Sequence, residues 1–217
     1  VTNTEAIDQA AARSSLRAQK KESTRIALAE AALRLCQERG YTHVTVSDIV
    51  DAVGVSRRTF SNYFTGKAEC LVSIVDGQLD DLIAQFVPES SDEDAIVEIR
   101  RTLAATPIDF WQKCTALSAL VNAEPELQAF SYASDQRSID YVAEEVAERL
   151  CLAPDDLRLR ITISSVVVCV KECVNRWLKT GPEGDTGALV RLIIDNLDVV
   201  NTDWVNDVRR AGNAQTP

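Results

Sequence analysis

Between Ser56 and Lys67 the chain runs Ser-Arg-Arg-Thr-Phe-Ser-Asn-Tyr-Phe-Thr-Gly-Lys. Arg57, Arg58, Thr59, Ser61, Asn62 and Tyr63 all carry hydrogen-bonding groups, while Phe60 and Phe64 stand four apart. On a helix that spacing puts both rings on one side and the polar groups on the other. A guanidinium forks onto the two acceptors of guanine, a carboxamide onto adenine, and hydroxyls suit bases or phosphates. Such a face is equipped for reading the edge of a base pair. Two solvated core helices would give the same pattern, so it needs support from its surroundings.

Equipment for bond making is sparse. One histidine, His43, leaves a His-dependent triad or a Cys/His zinc site almost nothing to work with. The six cysteines (36, 70, 114, 151, 169 and 173) form no CxxC pair and read as reduced thiols packed in a core. Cys169 and Cys173 lie one helical turn apart, where a redox link would constrain little. A catalytic set, a metal site and a cofactor are therefore not expected.

Charge sharpens the picture. The chain carries a formal net charge of -10, which speaks against a nucleic-acid partner. Its distribution speaks for one: between residues 13 and 67 ten basic side chains face five acidic ones. A basic head on an acidic body suits DNA, since the local field governs the contact. Residues 1–25 lack the apolar segment of a secretory signal, and the run Ile161–Val170 is too short and too polar to span a bilayer. The cytoplasm is the expected location, with no membrane partner.

The elements that must hold these side chains are all helical. Leu28, Ala32, Leu35 and Cys36 mark an amphipathic helix over about 21–39, stopped by Gly40. Thr45-Val-Ser-Asp48 is a capping-box variant opening a short helix with Ile49, Val50 and Val53 inward. Gly54 turns the chain, Ser56 caps the next helix over Arg57–Phe64, and a long helix follows from Lys67 to about Phe86. Beyond a Pro88–Asp94 linker, helices are predicted at about 94–104, 107–122, 125–151, 155–179 and 186–201, with Pro107 and Pro125 in first turns. The expected architecture is all-α, about nine helices. It comprises a flexible basic arm (1–20), a three-helix DNA-binding domain with a helix-turn-helix (21–66), a helical ligand-binding and dimerisation domain (67–202) and a C-terminal tail (203–217).

The run GVSRRTFSNYFTGK resembles the signature of the TetR family of transcriptional regulators. The preceding ALAEAALRLCQERGYTHVTVSDIV is similar to that family's first helix and its approach to the second, with Cys36 standing where the family usually has Phe. The likeness covers about residues 22–75. It implies a homodimer on palindromic operator DNA. Arg57, Arg58, Thr59 and Ser61 would meet base edges, while Thr45, Ser47, Asn62, Tyr63 and Lys67 would meet phosphate. Arg25 and the arm (Arg17, Lys20, Lys21) would add phosphate or minor-groove contacts.

For the remainder the resemblance implies a ligand-sensing and dimerising domain whose last long helices pair with their symmetry mates. Ile161, Val168, Leu189, Ile193 and Leu197 are the expected interface, because both helices carry unusually wide apolar surfaces. A thick monomeric core would use them equally well. Phe110, Trp111, Cys114, Phe130, Tyr141, Cys173 and Trp177 are the expected pocket, where apolar walls suit a hydrophobic small-molecule effector. LVNAEPELQAF and LAPDDLRLR resemble actinobacterial regulators of the mycofactocin-system type, which implies a lipid-like or acyl-CoA effector. The expected function is a repressor released by that effector. The alternatives are a DNA-binding regulator without a small-molecule ligand, and a helical enzyme or carrier.

Overall fold

The computed structural model describes residues 2–76, 82–83, 94–181 and 185–213, with side chains from Gln19 onward as far as Ala211. All regular structure among the described residues is helical. The chain divides into two compact units, Val1–Ile74 and Val75–Pro217.

In the first unit, α1 (Thr2–Arg39) includes residues 1–20 from Thr2 on, the segment expected as an arm, as its leading turns. Gly40 leaves the helix at φ 80°, a conformation that favours glycine. A 3₁₀ turn (Tyr41–His43), α2 (Val46–Val53), α3 (Arg57–Ser61) and α4 (Lys67–Val72) follow. Leu28, Ala32 and Cys36 of α1, Ile49 of α2, Phe60 of α3 and Leu71 of α4 close the core. Cys36 is buried here, and the Cys70 thiol is pushed up to about 12, first by burial and then by Cys36.

The long helix expected over 67–86 stops at Val72. Ser73 Oγ donates to Cys70 O, and Ile74 N–H bonds Leu71 O three residues back, so the backbone tightens out of the α pattern. Most of the expected continuation, including Leu79 and Phe86, lies outside the described residues, as do most of the Pro88–Asp94 linker and the Arg17 side chain.

The second unit contains α5 (Ala95–Ala105), α6 (Ile108–Ala123), α7 (Pro125–Arg149), α8 (Leu157–Thr180), α9 (Thr186–Asn196) with a 3₁₀ turn (Leu197–Val199), and α10 (Asp203–Asn213). Pro125 opens α7, where its missing N–H is harmless. Asp156 and Asp185 cap α8 and α9 by accepting backbone N–H groups of Arg158 and Ala188. α8 packs against α6, α7 and α9, and α9 against α5 and α6. Trp111, Leu189, Ile193 and Leu197 lie at the centre of that core.

The tail expected over 203–217 contains α10, which packs on α5. Asn206 Oδ1 accepts from Ala95 N–H and Arg209 pairs with Glu98, while Val205 is buried and Trp204 packs on the cluster of Ala143, Val146, Ala147 and Leu159. Apolar periodicity alone gives little sign of such a helix.

Candidate nucleic-acid interface and effector cavity

The Arg57–Tyr63 face depends on two well-made helix boundaries. Thr45 and Asp48 form a reciprocal capping box: Thr45 Oγ1 accepts from Asp48 N–H (3.2 Å), and Asp48 Oδ2 accepts from Thr45 N–H (2.8 Å). Bonds from the Thr45 hydroxyl and its backbone N–H hold the Asp48 carboxyl below its ordinary range, and Arg39 adds a smaller pull in the same direction. At the other end of α2, Gly54 adopts φ 73° and donates to Asp51 O, while Val55 N–H reaches back to Val50 O (3.0 Å). This Schellman arrangement ends α2 and redirects the chain. Ser56 Oγ then caps α3 by accepting from Thr59 N–H (3.0 Å).

Phe60 and Phe64 are buried with ring centroids 5.5 Å apart. Their anchoring leaves Arg57, Arg58, Ser61 and Asn62 exposed and Thr59 and Tyr63 half-buried. Neither Arg57 nor Arg58 has an ion-pair partner among the described residues. Two cations in this state keep their full capacity for a new anion or acceptor. The α-helix itself is shorter than the expected Arg57–Phe64. After Ser61 the bonds Asn62 N–H to Thr59 O and Tyr63 N–H to Phe60 O tighten the chain into a turn. Ser61 Oγ bonds back to Arg57 O (3.1 Å), and Thr59 Oγ1 shares a hydrogen bond with Ser56 Oγ (2.9 Å).

Lys67 is placed differently from the other polar residues. Its Nζ donates to Tyr41 O (2.5 Å) and Val44 O (2.8 Å) and lies 3.7 Å from the centroid of the Tyr41 ring. The ammonium thereby ties the start of α4 to the turn before α2, committing two of its three hydrogens. Thr45 is exposed and Ser47 half-buried at the start of α2, where helix N–H groups favour anions. Asp48 already occupies part of that position. Arg25 pairs with Glu22 (2.8 Å), and Lys20 and Lys21 are exposed. His43 Nδ1 contacts Arg39 O (3.1 Å) in the turn.

In the second unit, a cavity of about 270 Å³ opens among α5, α6, α7, α8 and α10. Of the expected pocket residues, Phe110 and Trp111 line it, packed edge to face with centroids 5.1 Å apart. Cys114, Phe130, Tyr141, Cys173 and Trp177 are not in its wall. Burial pushes the Cys114 thiol up to about 12. Cys173 sits against α9 with its thiol donating to Leu192 O (3.7 Å), and burial lifts it to about 11. Most of the wall is instead supplied by aliphatic residues of α5, α7 and α8, such as Ile99, Val146, Ile163 and Val166. Aliphatic positions of this kind do not stand out from ordinary core in a sequence.

The expected interface residues divide. Ile161 and Val168 on α8 are 56% and 57% exposed, and they share the outer face of that helix with Leu157 at 68%. Leu189, Ile193 and Leu197 are completely buried within their own chain, so they cannot meet a partner directly. The wide apolar surface of α9 is wide because α5, α6 and α8 cover it from several sides. Among the described residues no cluster of His, Cys, Asp or Glu is arranged to hold a metal ion, and no helix is long and apolar enough to cross a membrane.

This geometry agrees with what known proteins show. Residues 28–74 match the model of bacterial regulatory proteins of the tetR family, and residues 91–201 match the MftR C-terminal domain. The chain belongs to the TetR family of transcriptional regulators, with a C-terminal domain of the mycofactocin-regulator type. It is a helix-turn-helix DNA-binding regulator with a ligand-binding C-terminal domain. Regulators of this family generally bind operator DNA as dimers and respond to small molecules.

The fold is also that of a tetR-family transcriptional regulator from Streptomyces coelicolor (TM-score 0.52, 21% identity, 90% of each chain covered). The fatty acid degradation regulator FadR from Bacillus halodurans shares it too (TM-score 0.53, 20% identity, 82% of this chain and 94% of that one covered). No curated protein matches the chain.

Proposed function

We propose that this protein is a homodimeric repressor that binds a palindromic operator and releases it when a hydrophobic small molecule enters the α5–α8 cavity. The observation that carries the DNA half is the pair Arg57 and Arg58, exposed and without an ion-pair partner among the described residues, on a helix anchored by Phe60 and Phe64. In this reading Arg57, Arg58, Thr59 and Ser61 meet base edges, and Asn62, Tyr63, Thr45 and Ser47 meet phosphate. Lys67 serves chiefly to hold the frame, since two carbonyls already engage its ammonium.

Dimerisation is assigned to the outer face of α8, where Leu157, Ile161 and Val168 stand exposed on one element. Such an apolar stripe on a regulator that works as a dimer is best covered by a second copy. A two-fold pair would set the recognition helices about one DNA turn apart, roughly 34–36 Å, or a multiple of it. The effector acts through its different affinities for the DNA-competent and DNA-incompetent states, and releases DNA by no more than that difference. An apolar cavity supports a lipid-like effector, and the fatty-acid regulator among the similar structures points the same way.

The test is a salt-dependent shift assay on the DNA upstream of the protein's own gene, paired with sedimentation. The protein is expected to sediment as a dimer and to prefer that DNA over a scrambled sequence. Val168→Asp, an exposed change, is expected to yield a folded monomer that has lost the preference. Equal affinity for both DNAs, or an unchanged dimer in Val168→Asp, removes the corresponding assignment.

A further inference from the structure

Helix α10 lies along one side of the α5–α8 cavity and is attached to the helices on both flanks. Thr202, Val205 and Arg209 line the cavity, and their spacing places them on one stripe of the helix and its lead-in turn. On the α8 flank, Trp204 packs on the cluster of Ala143, Val146, Ala147 and Leu159. Its Nε1 donates to Thr162 Oγ1 (3.0 Å), and Arg158 Cζ stands 5.0 Å from its ring centroid. On the α5 flank, Asn206 Oδ1 accepts from Ala95 N–H (3.0 Å), and Asn206 Nδ2 donates to Asp94 Oδ1 (3.1 Å). Arg209 pairs with Glu98 at 2.7 Å. The helix therefore bridges α8 and α5 with the cavity beneath it.

Of the cavity's walls this one is held most lightly. Among the described α10 side chains only Val205 is buried outright, with Trp204, Asn206, Val208 and Arg209 half-buried. By contrast, α8 packs against α6, α7 and α9. An element with little buried apolar area, held by hydrogen bonds near the surface, opens at a lower free energy than the core around it. The helix also lies beyond residues 91–201, which carry the likeness of this domain to its family. Its place over the cavity is read from this chain's own contacts. With α10 seated, the volume of about 270 Å³ corresponds to about nine water molecules, which limits an enclosed guest to on the order of ten heavy atoms.

We propose that α10 is the closing wall of the effector cavity: seated, it limits the size of the guest, and its release from α5 lets a guest enter and leave. The proposal rests on the effector reading above and deepens it, by naming the element that governs guest size and exchange. Trp204, two residues past Thr202, is the hinge side, because its ring and N–H hold to α7 and α8. Asn206 and Arg209 lie further along and form the latch on α5. Asn206 is its simplest part, one carboxamide engaging both Ala95 N–H and Asp94.

The experiment adds straight-chain alcohols, 1-pentanol to 1-dodecanol, to the full chain and follows calorimetry, stopped-flow tryptophan fluorescence and hydrogen exchange. In the unsubstituted protein, affinity is expected to rise with chain length up to about ten heavy atoms and then level off. 1-Octanol at about ten times its Kd is expected to slow exchange of the Val205–Arg209 amides about tenfold, since a guest held only under the seated helix suppresses its opening. Asn206→Ala is expected to release 1-octanol about tenfold faster and to extend the rise to longer chains. Val166→Phe, on the α8 wall, is expected to weaken 1-octanol. A chain-length limit and a release rate both unmoved by Asn206→Ala would overturn the proposal and leave the effector site standing. So would α10 amides that exchange no more slowly with guest bound. Binding indifferent to Val166→Phe would place the guest elsewhere and overturn it too. Failure of every alcohol to bind counts against the effector reading itself, and the proposal falls with it. The exchange measurement on unsubstituted protein decides the question even if Asn206→Ala fails to fold.

Discussion

In Val1–Ile74 Arg57 and Arg58 stand outside with no ion-pair partner among the described residues, and two phenylalanines beneath them are buried. In Val75–Pro217 the cations that reach the cavity wall are each held by a carboxylate, while leucine, isoleucine and valine of α8 face outward. The first unit presents charge and hides its aromatic anchor. The second neutralises charge and presents apolar surface. The contrast shows two kinds of recognition built from the same helices. One side leaves cations open to a polyanion, and the other pairs its cations with carboxylates beside a cavity and a helix face that are mostly apolar.

If that contrast is sound, the first unit should fail most severely at its anchor. Phe60→Ala removes a ring that is 2% exposed and is expected to cost about 3–5 kcal/mol of stability. Chemical denaturation measures the loss, and a shift assay should show binding gone on every DNA sequence. Survival of specific binding would mean that the recognition face does not depend on the two-ring anchor.

A comparison of Arg57 and Arg58 with Lys67 is the next sharpest test. Replacement of either arginine by Ala is expected to cost about 1–3 kcal/mol on operator DNA and to relax preference at one position. Lys67→Ala should instead lower stability, by about 1.5–3 kcal/mol, through the loss of its bonds to Tyr41 O and Val44 O. Its salt dependence of DNA binding should stay nearly unchanged. A slope reduced by about one would restore Lys67 to the phosphate contacts.

The smallest effect is expected at the start of α2. Thr45→Ala removes the cap and should cost about 1 kcal/mol. The partner carboxyl adds a pH signature. Asp48 is held below its ordinary value of 3.8, so its contribution is complete above that pH and is lost as pH falls through the lower folded value. The Thr45→Ala protein should therefore lose less stability on acidification over that window than the unsubstituted one. Parallel acid profiles would show that the box does not hold Asp48 in its ionised form.

The short-range features were legible because each is decided within a few residues. The Thr45–Asp48 cap, the Gly54 turn, the Ser56 cap and the Phe60/Phe64 spacing all act over one helical turn, and the residue types announce them. Lys67 shows the limit of that reading. Its type and place suit phosphate, but its reach to carbonyls 23 and 26 residues earlier depends on how α1, α2 and α4 pack. The missed α10 has a similar cause: Asn206 and Arg209 bind residues 111 positions away, which no local pattern reports.

What the sequence by itself determined is the helical class, the helix-turn-helix and the polar set that faces outward from it. These follow from periodicity, capping and turn chemistry, which are local. Tertiary structure alone decided which apolar surfaces stay open. Leu189, Ile193 and Leu197 look no different from Ile161 and Val168 along the chain, yet the first three are sealed inside and the last two face out. Apolar burial is non-directional, so a wide hydrophobic helix face states that it must be covered without stating by what. Only the packing of α5, α6 and α8 around α9 answers that, and the same packing leaves the cavity and joins Glu98 to Arg209 at its wall.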